Sequence, residues 1–136
     1  MRGFLLDTDT CIEFLKGKYK LDKKVRAVGT DACFISSLTL AELYFGAFNS
    51  SNQKRHLQQV ARITELFRII STNSVERRFG MEKARLPKIG RLIPDFDLMI
   101  GSTAVEHDLV LVTNNVKHHE RIDEIVIENW IQMAQS

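Results

Sequence analysis

Short apolar runs alternate with longer segments of helical period along this chain of 136 residues. The runs that predict strands are 4–6, 34–35, 67–70 and 109–112, with a fifth candidate at 125–127. Their apolarity is continuous rather than alternating, which is typical of strands that are covered on both faces, as in a parallel sheet. The pattern therefore predicts a central, mainly parallel sheet of four to five strands.

Segments with helical periodicity lie between these runs. They are 10–16, 21–28, 38–48, 53–66, 75–86 and 96–106. The alternation of strand and helix predicts a three-layer α/β/α sandwich with right-handed crossovers. We find no repeat, low-complexity tract or linker, so 17–20 and 88–94 are interpreted as loops inside a single domain spanning 1–136.

Oxygen-bearing side chains stand where the predicted strands end or where the neighbouring helices begin. In a parallel sheet these positions share one edge, which is where ligands bind in open α/β folds. The residues concerned are Asp7, Asp9, Glu42, Asp97, Thr113 and Asn115. Four separate segments are thus expected to converge on one site.

A cluster of carboxylates at such an edge is expected to bind a cation. Carboxylates that are brought together repel one another, and this repulsion raises their pKa values unless a cation neutralises them. Oxygen ligands favour Mg²⁺ or Mn²⁺ over zinc. Such an ion assists hydrolysis of a phosphodiester by water, and that chemistry needs no side-chain nucleophile.

Each acid also has a structural interpretation. Asp9 and Asp95 are typical helix N-caps, and for Asp95 we prefer that interpretation. Glu42 completes a capping box with Thr39. Asp97 is also a first-turn acid that the helix dipole favours. From spacing alone, the cap and the metal ligand remain open alternatives for Glu42.

Composition narrows the class of protein without identifying a partner. With 44% hydrophobic and 26% charged residues, the chain is an ordinary globular protein. No stretch approaches the ~18 apolar residues of a membrane span, and no signal-peptide stretch is expected before Asp7, so we expect a cytoplasmic protein. Cys11 and Cys33 are predicted to be buried thiols.

Charge and the remaining candidates are less informative. The net charge of +2 is too small to indicate a nucleic-acid binder. A basic run fits either a solvated helix face or a phosphate-binding rim. Its members are Arg77, Arg78, Lys83, Arg85, Lys88 and Arg91.

His118 and His119 are expected to be exposed in a polar loop. Around Tyr44, the wide apolar face of one helix suggests packing on another chain.

Several motifs together resemble a known family. They are LLDTD at 5–9, SLTLAELYFG at 37–46, FDLMIGSTA at 96–104, LVTNN at 111–115 and IENW at 127–130. In this order and over nearly the whole chain, they resemble PIN domains, and in particular the VapC-type ribonuclease toxins of bacterial toxin–antitoxin modules.

The resemblance implies a PIN-like fold and an Mg²⁺- or Mn²⁺-dependent ribonuclease with Asp7, Glu42 and Asp97 as its carboxylates. It also implies homodimerisation and neutralisation by a cognate antitoxin that covers the active site. Asn115 departs from the broader pattern, which has an acid there. A neutral amide is a weak ligand, so we expect one firmly held ion, with Asp9 compensating in part and Thr113 orienting a neighbour.

Two other functions fit parts of the sequence. The segment Asp7-Thr8-Asp9-Thr10 is similar to the aspartyl-phosphate loop of haloacid-dehalogenase-like phosphatases, in which Asp7 would be the nucleophile. The chain is short for that fold and has no convincing partner motifs. The other alternative is a PIN-like binding module with weak catalysis that acts only through its partner.

Overall fold

The computed structural model of the chain describes residues 2–71 and 73–135, and side chains as far as Gln132. The described residues form five strands and eight α-helices. The strands are β1 (Phe4–Leu6), β2 (Cys33–Ser36), β3 (Arg68–Ile70), β4 (Val110–Val112) and β5 (Ile127–Glu128).

The helices fill the intervals between the strands and follow the last one. They are α1 (Thr8–Leu15), α2 (Leu21–Val28), α3 (Ser37–Phe48), α4 (Gln53–Leu66), α5 (Glu76–Arg85), α6 (Asp95–Glu106), α7 (Val116–His119) and α8 (Trp130–Gln135). The short helices α7 and α8 were not predicted, because elements this short carry no periodic signal. Short 3₁₀ turns cover Thr30–Ala32 and Leu86–Ile89.

The sheet has the order β3-β2-β1-β4-β5, and every pair of neighbours is parallel. This confirms the predicted α/β/α class. In the centre, Leu5 of β1 stands opposite Phe34 on one side and Leu111 on the other. The end of β1 is therefore flanked by the ends of β2 and β4, the arrangement that brings distant segments together.

Both faces of the sheet are covered by apolar side chains. Successive residues of a strand point to opposite faces. Accordingly, Leu6 and Val112 join a core with α1 to α4, while Leu5 and Leu111 join a second core with α6. The continuous apolar runs that form β1, β2 and β4 are explained by this burial on two sides, whereas the edge strand β3 is partly exposed.

Both cysteines lie in the first of these cores, as predicted. Cys11 and Cys33 are fully buried and free. Burial raises the pKa of Cys33 to about 11, and it also raises that of Cys11 well above its usual range. Thiols with raised pKa values are poor nucleophiles, so both act as core side chains. None of the described helices combines the length and apolarity that crossing a membrane requires.

Three predicted helix starts are corrected by the structure. Asp7, not Asp9, caps α1, because its extended backbone directly continues β1. Helix α3 is capped by Ser36, whose hydroxyl accepts from the Leu38 N–H at 3.0 Å, so no capping box involving Glu42 forms. Helix α6 begins at Asp95 itself, after the extended Pro94.

Half of the basic run is neutralised by ion pairs within the fold. Arg78 pairs with Glu106 at 2.6 Å and with Glu124 at 2.9 Å. Lys83 pairs with Asp95 at 3.0 Å, and this contact explains the Asp95 carboxylate that was expected to be a cap. Arg85 pairs with Glu82, which is completely buried. These pairs account for three of the six basic residues of the run.

Candidate active site

Asp7 is held rigidly at the centre of the sheet edge. Its backbone N–H donates to the Val112 carbonyl at 3.1 Å, which continues the β1–β4 ladder. One of its carboxylate oxygens, Oδ1, accepts the Thr10 N–H at 2.8 Å and so caps α1. The side chain is only 8% exposed, and its second oxygen is left for other partners.

The other acids arrive from three helices. Asp9 lies in the first turn of α1, Glu42 in the second turn of α3 and Asp97 in the first turn of α6. Helix α3 packs against both α1 and α6, and this packing brings their early turns together. The side chain of Thr8 on α1 also donates to that of Thr39 on α3 at 3.2 Å.

One polar cleft of about 200 Å³ collects these side chains. It is lined by Asp7, Thr8, Asp9, Glu42, Phe96, Asp97, Ile100, Asn115 and His119. Five of the six predicted site residues therefore meet there. Thr113 is buried and does not line the cleft. Its hydroxyl accepts the Asn115 N–H at 2.9 Å and so positions Asn115, which does line it.

Burial and the neighbouring acids raise the cost of ionising Asp9. The pKa of Asp9 is raised above its ordinary 3.8, first by burial and then by the charges of Asp7, Asp97 and Glu13. A cation placed among these carboxylates would relieve that repulsion.

Replacing Asp9 by asparagine is expected to raise the melting temperature of the metal-free protein at neutral pH. A carboxyl whose pKa is raised by folding destabilises the fold as the pH rises through that pKa, because the folded state then gives up a proton it held more tightly. Asparagine stays neutral, so the gain should appear between acidic and neutral pH. Thermal unfolding in EDTA across that range measures it.

The matched control for this variant is Asp31→Asn, which removes an exposed carboxylate outside the cleft. Saturating Mg²⁺ should abolish the gain of the Asp9 variant, because the wild-type cluster is then neutralised. A gain that is the same at acidic and neutral pH would contradict the electrostatic explanation.

Two histidines join the site, and sequence reasoning missed both. His118 is half-exposed, and its Nδ1 lies 3.1 Å from Asp97 Oδ2.

His119 is 1% exposed, so the expectation of an exposed loop residue is wrong for it. Its Nδ1 donates to the Asn115 carbonyl at 3.0 Å, which leaves Nε2 as an acceptor without a partner in the described part of the chain. The ring packs near Gly101 of α6, where a Cβ would lie 3.4 Å from His119 Cδ2, an ordinary contact distance.

The side chains of the cleft suit a hard divalent cation. Carboxylate and amide oxygens are the ligands that Mg²⁺ and Mn²⁺ prefer. Among the described residues, however, no three histidine, cysteine or acidic side chains already surround one point. The chemistry of the donor set therefore fits a metal, and closure around it would require side chains such as Glu42, which is exposed, to turn inward.

A second groove of about 380 Å³ adjoins the cleft between α1, α3 and α4. Its lining is mostly apolar, with Leu43, Ala47 and Val60 among its residues, and it shares Glu42 with the cleft. Helix α3 also carries exposed aromatic rings outside the groove: Phe45 is 68% exposed and Phe48 58%. Such a patch is typical of a protein-binding surface.

Comparison with known proteins gives a consistent family. The PIN domain family model matches residues 4–125. The tRNA(fMet)-specific endonuclease VapC of Salmonella typhimurium is 34% identical over 131 residues, covering 96% of this chain and 99% of that protein. Ribonuclease VapC2 of Haemophilus influenzae is 31% identical over 133 residues, covering 96% of this chain and all of that protein (100%).

Solved structures agree with these relatives. A chain in the crystal structure of DNA-bound VapBC from Salmonella typhimurium superposes with a TM-score of 0.88 at 33% identity, covering 96% of this chain and 99% of that one. A chain of VapBC2 from Rickettsia felis, bound to a promoter DNA fragment, gives 0.87 at 27% identity over 93% and 98%. The chain therefore belongs to the PIN-domain family and, within it, to the VapC ribonucleases.

Proposed function

We propose that this chain is a metal-dependent endoribonuclease, the toxin of a toxin–antitoxin module. The observation that carries the proposal is the cleft in which Asp7, Asp9, Glu42 and Asp97 meet. Membership of the VapC ribonucleases supports RNA as the substrate. The proposed reaction is hydrolysis of a phosphodiester by water, leaving a 3′-hydroxyl and a 5′-phosphate.

We assign Asp7, Glu42 and Asp97 to the binding of Mg²⁺, with Mn²⁺ as a substitute. When bound, the ion would lower the pKa of a coordinated water and stabilise charge on the leaving oxygen. Asp7 contributes a carboxylate whose orientation is set by the Thr10 N–H. Asp97 is oriented in turn by His118.

The proposal is tested by incubating the purified chain, freed of any antitoxin, with RNA. We expect cleavage in Mg²⁺ or Mn²⁺, none in EDTA, and recovery when the ion is restored. Transfer RNA is the first substrate to test, because two relatives are named as tRNA(fMet)-specific endonucleases. A chain that binds neither ion and cleaves no cellular RNA would instead fit the alternative of a binding module.

We expect one firmly held ion per chain without RNA. Asn115 offers a neutral amide where the broader family pattern has an acid, and a neutral ligand binds a divalent ion weakly. Calorimetric titration with Mn²⁺ should give one site per chain, and Asp97→Asn should weaken that site. A stoichiometry of two tight ions before RNA is added would contradict the assignment.

We further propose a cognate antitoxin and a second copy of the chain as protein partners, in the cytoplasm. The apolar groove beside Glu42 and the exposed rings of Phe45 and Phe48 support a protein partner near the cleft. Several solved relatives are complexes named VapBC. An antitoxin on this surface would block access of RNA to the acids.

A further inference from the structure

A third concavity, of about 540 Å³, lies on the other side of Asn115 from the acidic cleft. It is formed by the residues after β4, by α7 and by the start of α8. Its polar lining consists of Asn114, Asn115, Lys117, His118, Asn129 and Gln132, with Val116 as the apolar member. We call it the amide groove. Asn115 lines both the cleft and the amide groove, so the two are adjacent.

The charge changes sign between the two spaces. The cleft contains four carboxylates, whereas the amide groove has no acidic side chain in its lining. Lys117 is exposed and forms no ion pair with the described residues. The carboxylates of the cleft repel the phosphates of a polyanion such as RNA. A cation beside them attracts the neighbouring phosphates and offsets that repulsion.

The amides of the groove are already oriented. Asn129 donates through Nδ2 to Asn114 Oδ1 at 2.9 Å, and its own Oδ1 accepts the Gln132 N–H at 2.9 Å. These bonds leave the Asn114 NH₂ group as a donor without an acceptor in the described part of the chain. An oriented NH₂ donor without an acceptor in the protein can form a hydrogen bond to the edge of a base, and such bonds distinguish one base from another.

The amide groove lies next to the acids. His118 lines the groove, and its Nδ1 lies 3.1 Å from Asp97 Oδ2 in the cleft. A ligand seated in the groove would therefore be a neighbour of whatever is bound among the carboxylates.

We infer that the amide groove holds the nucleotide next to the scissile phosphate of single-stranded RNA. Lys117 contacts a backbone phosphate, and Asn114 donates to the edge of the base. The inference rests on the proposed ribonuclease function. No phenylalanine, tyrosine or tryptophan side chain lines the groove, so we assign the choice of base to hydrogen bonds.

The test uses the full-length chain and a pool of random-sequence RNA, with the cut positions read by sequencing. The informative variant is Asn114→Asp, which keeps an oxygen for Asn129 Nδ2 but replaces the NH₂ donor by an acceptor. We expect a different preferred base at one position beside the cut. Asn114→Ala should weaken the wild-type preference at that position. Asn49→Ala, an exposed amide outside the groove, should leave the preference unchanged.

Lys117→Ala tests the phosphate contact independently. It should raise KM several-fold with little change in kcat, and it should lower the slope of log affinity against log salt by about 0.7, the value for one phosphate contact on a single strand. Lys54→Ala removes an exposed lysine that lines neither space, and should do neither.

The inference would be overturned if the wild type is active but Asn114→Asp leaves its cut preference unchanged and Lys117→Ala leaves its salt slope unchanged. The proposed function would still stand in that case. Variants that weaken only antitoxin binding would also overturn it, because the groove would then serve a protein. An inactive wild type contradicts the ribonuclease itself, and the inference fails with it.

Discussion

Replacing Asp7 by asparagine should lower the rate of RNA cleavage by about a thousandfold or more, the cost of losing several kcal/mol of transition-state stabilisation. Asp7 is the most buried acid of the cleft. Asparagine removes its charge but keeps an oxygen that accepts the Thr10 N–H, and asparagine caps helices as well as aspartate does. The rate should therefore fall without loss of the fold, as measured by single-turnover cleavage and thermal unfolding.

The comparison variant is Asp7→Ala, which loses both the charge and the cap. It should be as inactive as Asp7→Asn and, in addition, less stable by about 1 kcal/mol. Full activity of Asp7→Asn in either metal would remove Asp7 from the metal site. Equal stability of the two variants would instead show that the cap contributes little.

The second large effect is on stability. Glu82→Ala should lower the free energy of unfolding by about 3 kcal/mol, the lower end of the range for breaking a buried ion pair. The Glu82 carboxylate is completely buried and accepts from Arg85 Nε at 3.0 Å and from the Asp123 N–H at 3.2 Å. It therefore ties α5 to the segment before β5. Because Arg85 is 31% exposed, water can solvate its charge in the variant, and this limits the loss.

Denaturant unfolding at neutral pH measures this change by linear extrapolation. The control is Glu120→Ala, which removes an exposed glutamate that forms no ion pair with the described residues and should change stability by less than about 0.5 kcal/mol. If Glu82→Ala were no more destabilising than this control, the buried pair would be energetically neutral.

The sheet was predictable because its central strands, β1, β2 and β4, are largely buried on both faces. That burial leaves runs such as 109–112 apolar at every position, and the runs then place Asp7 and Asn115 at a common edge. The bounds of α2 and α4 were predicted to the residue, because both have one clear apolar stripe and polar flanks.

The helix starts were harder to predict, since a cap is chosen by backbone conformation. Both Asp7 and Asp9 are good capping residues, and only the extended backbone of Asp7 decides between them. In the same way, Ser36 takes the cap of α3 because β2 ends there, and Glu42 is left exposed. Strand ends and helix starts share residues in this fold, and propensity alone does not reveal that overlap.

Two buried polar residues were beyond the reach of the sequence. Glu82 lies in a run of charged residues that resembles a solvated helix face. It is nevertheless completely buried, and it accepts hydrogen bonds from Arg85 and from the Asp123 N–H. His119 stands in a polar segment, and its burial depends on packing near Gly101 of the distant helix α6. In both cases the partner is supplied by tertiary packing, which leaves no local signal.

The central position of β1 has a consequence for how the site can form. The backbone N–H of Asp7 is satisfied by the carbonyl of Val112, which is distant along the chain. Asp97, on α6, is also far from Asp7 in sequence. Because the acids meet only through contacts of such long sequence separation, no isolated segment of the chain can assemble the cleft, and the site forms only together with the sheet.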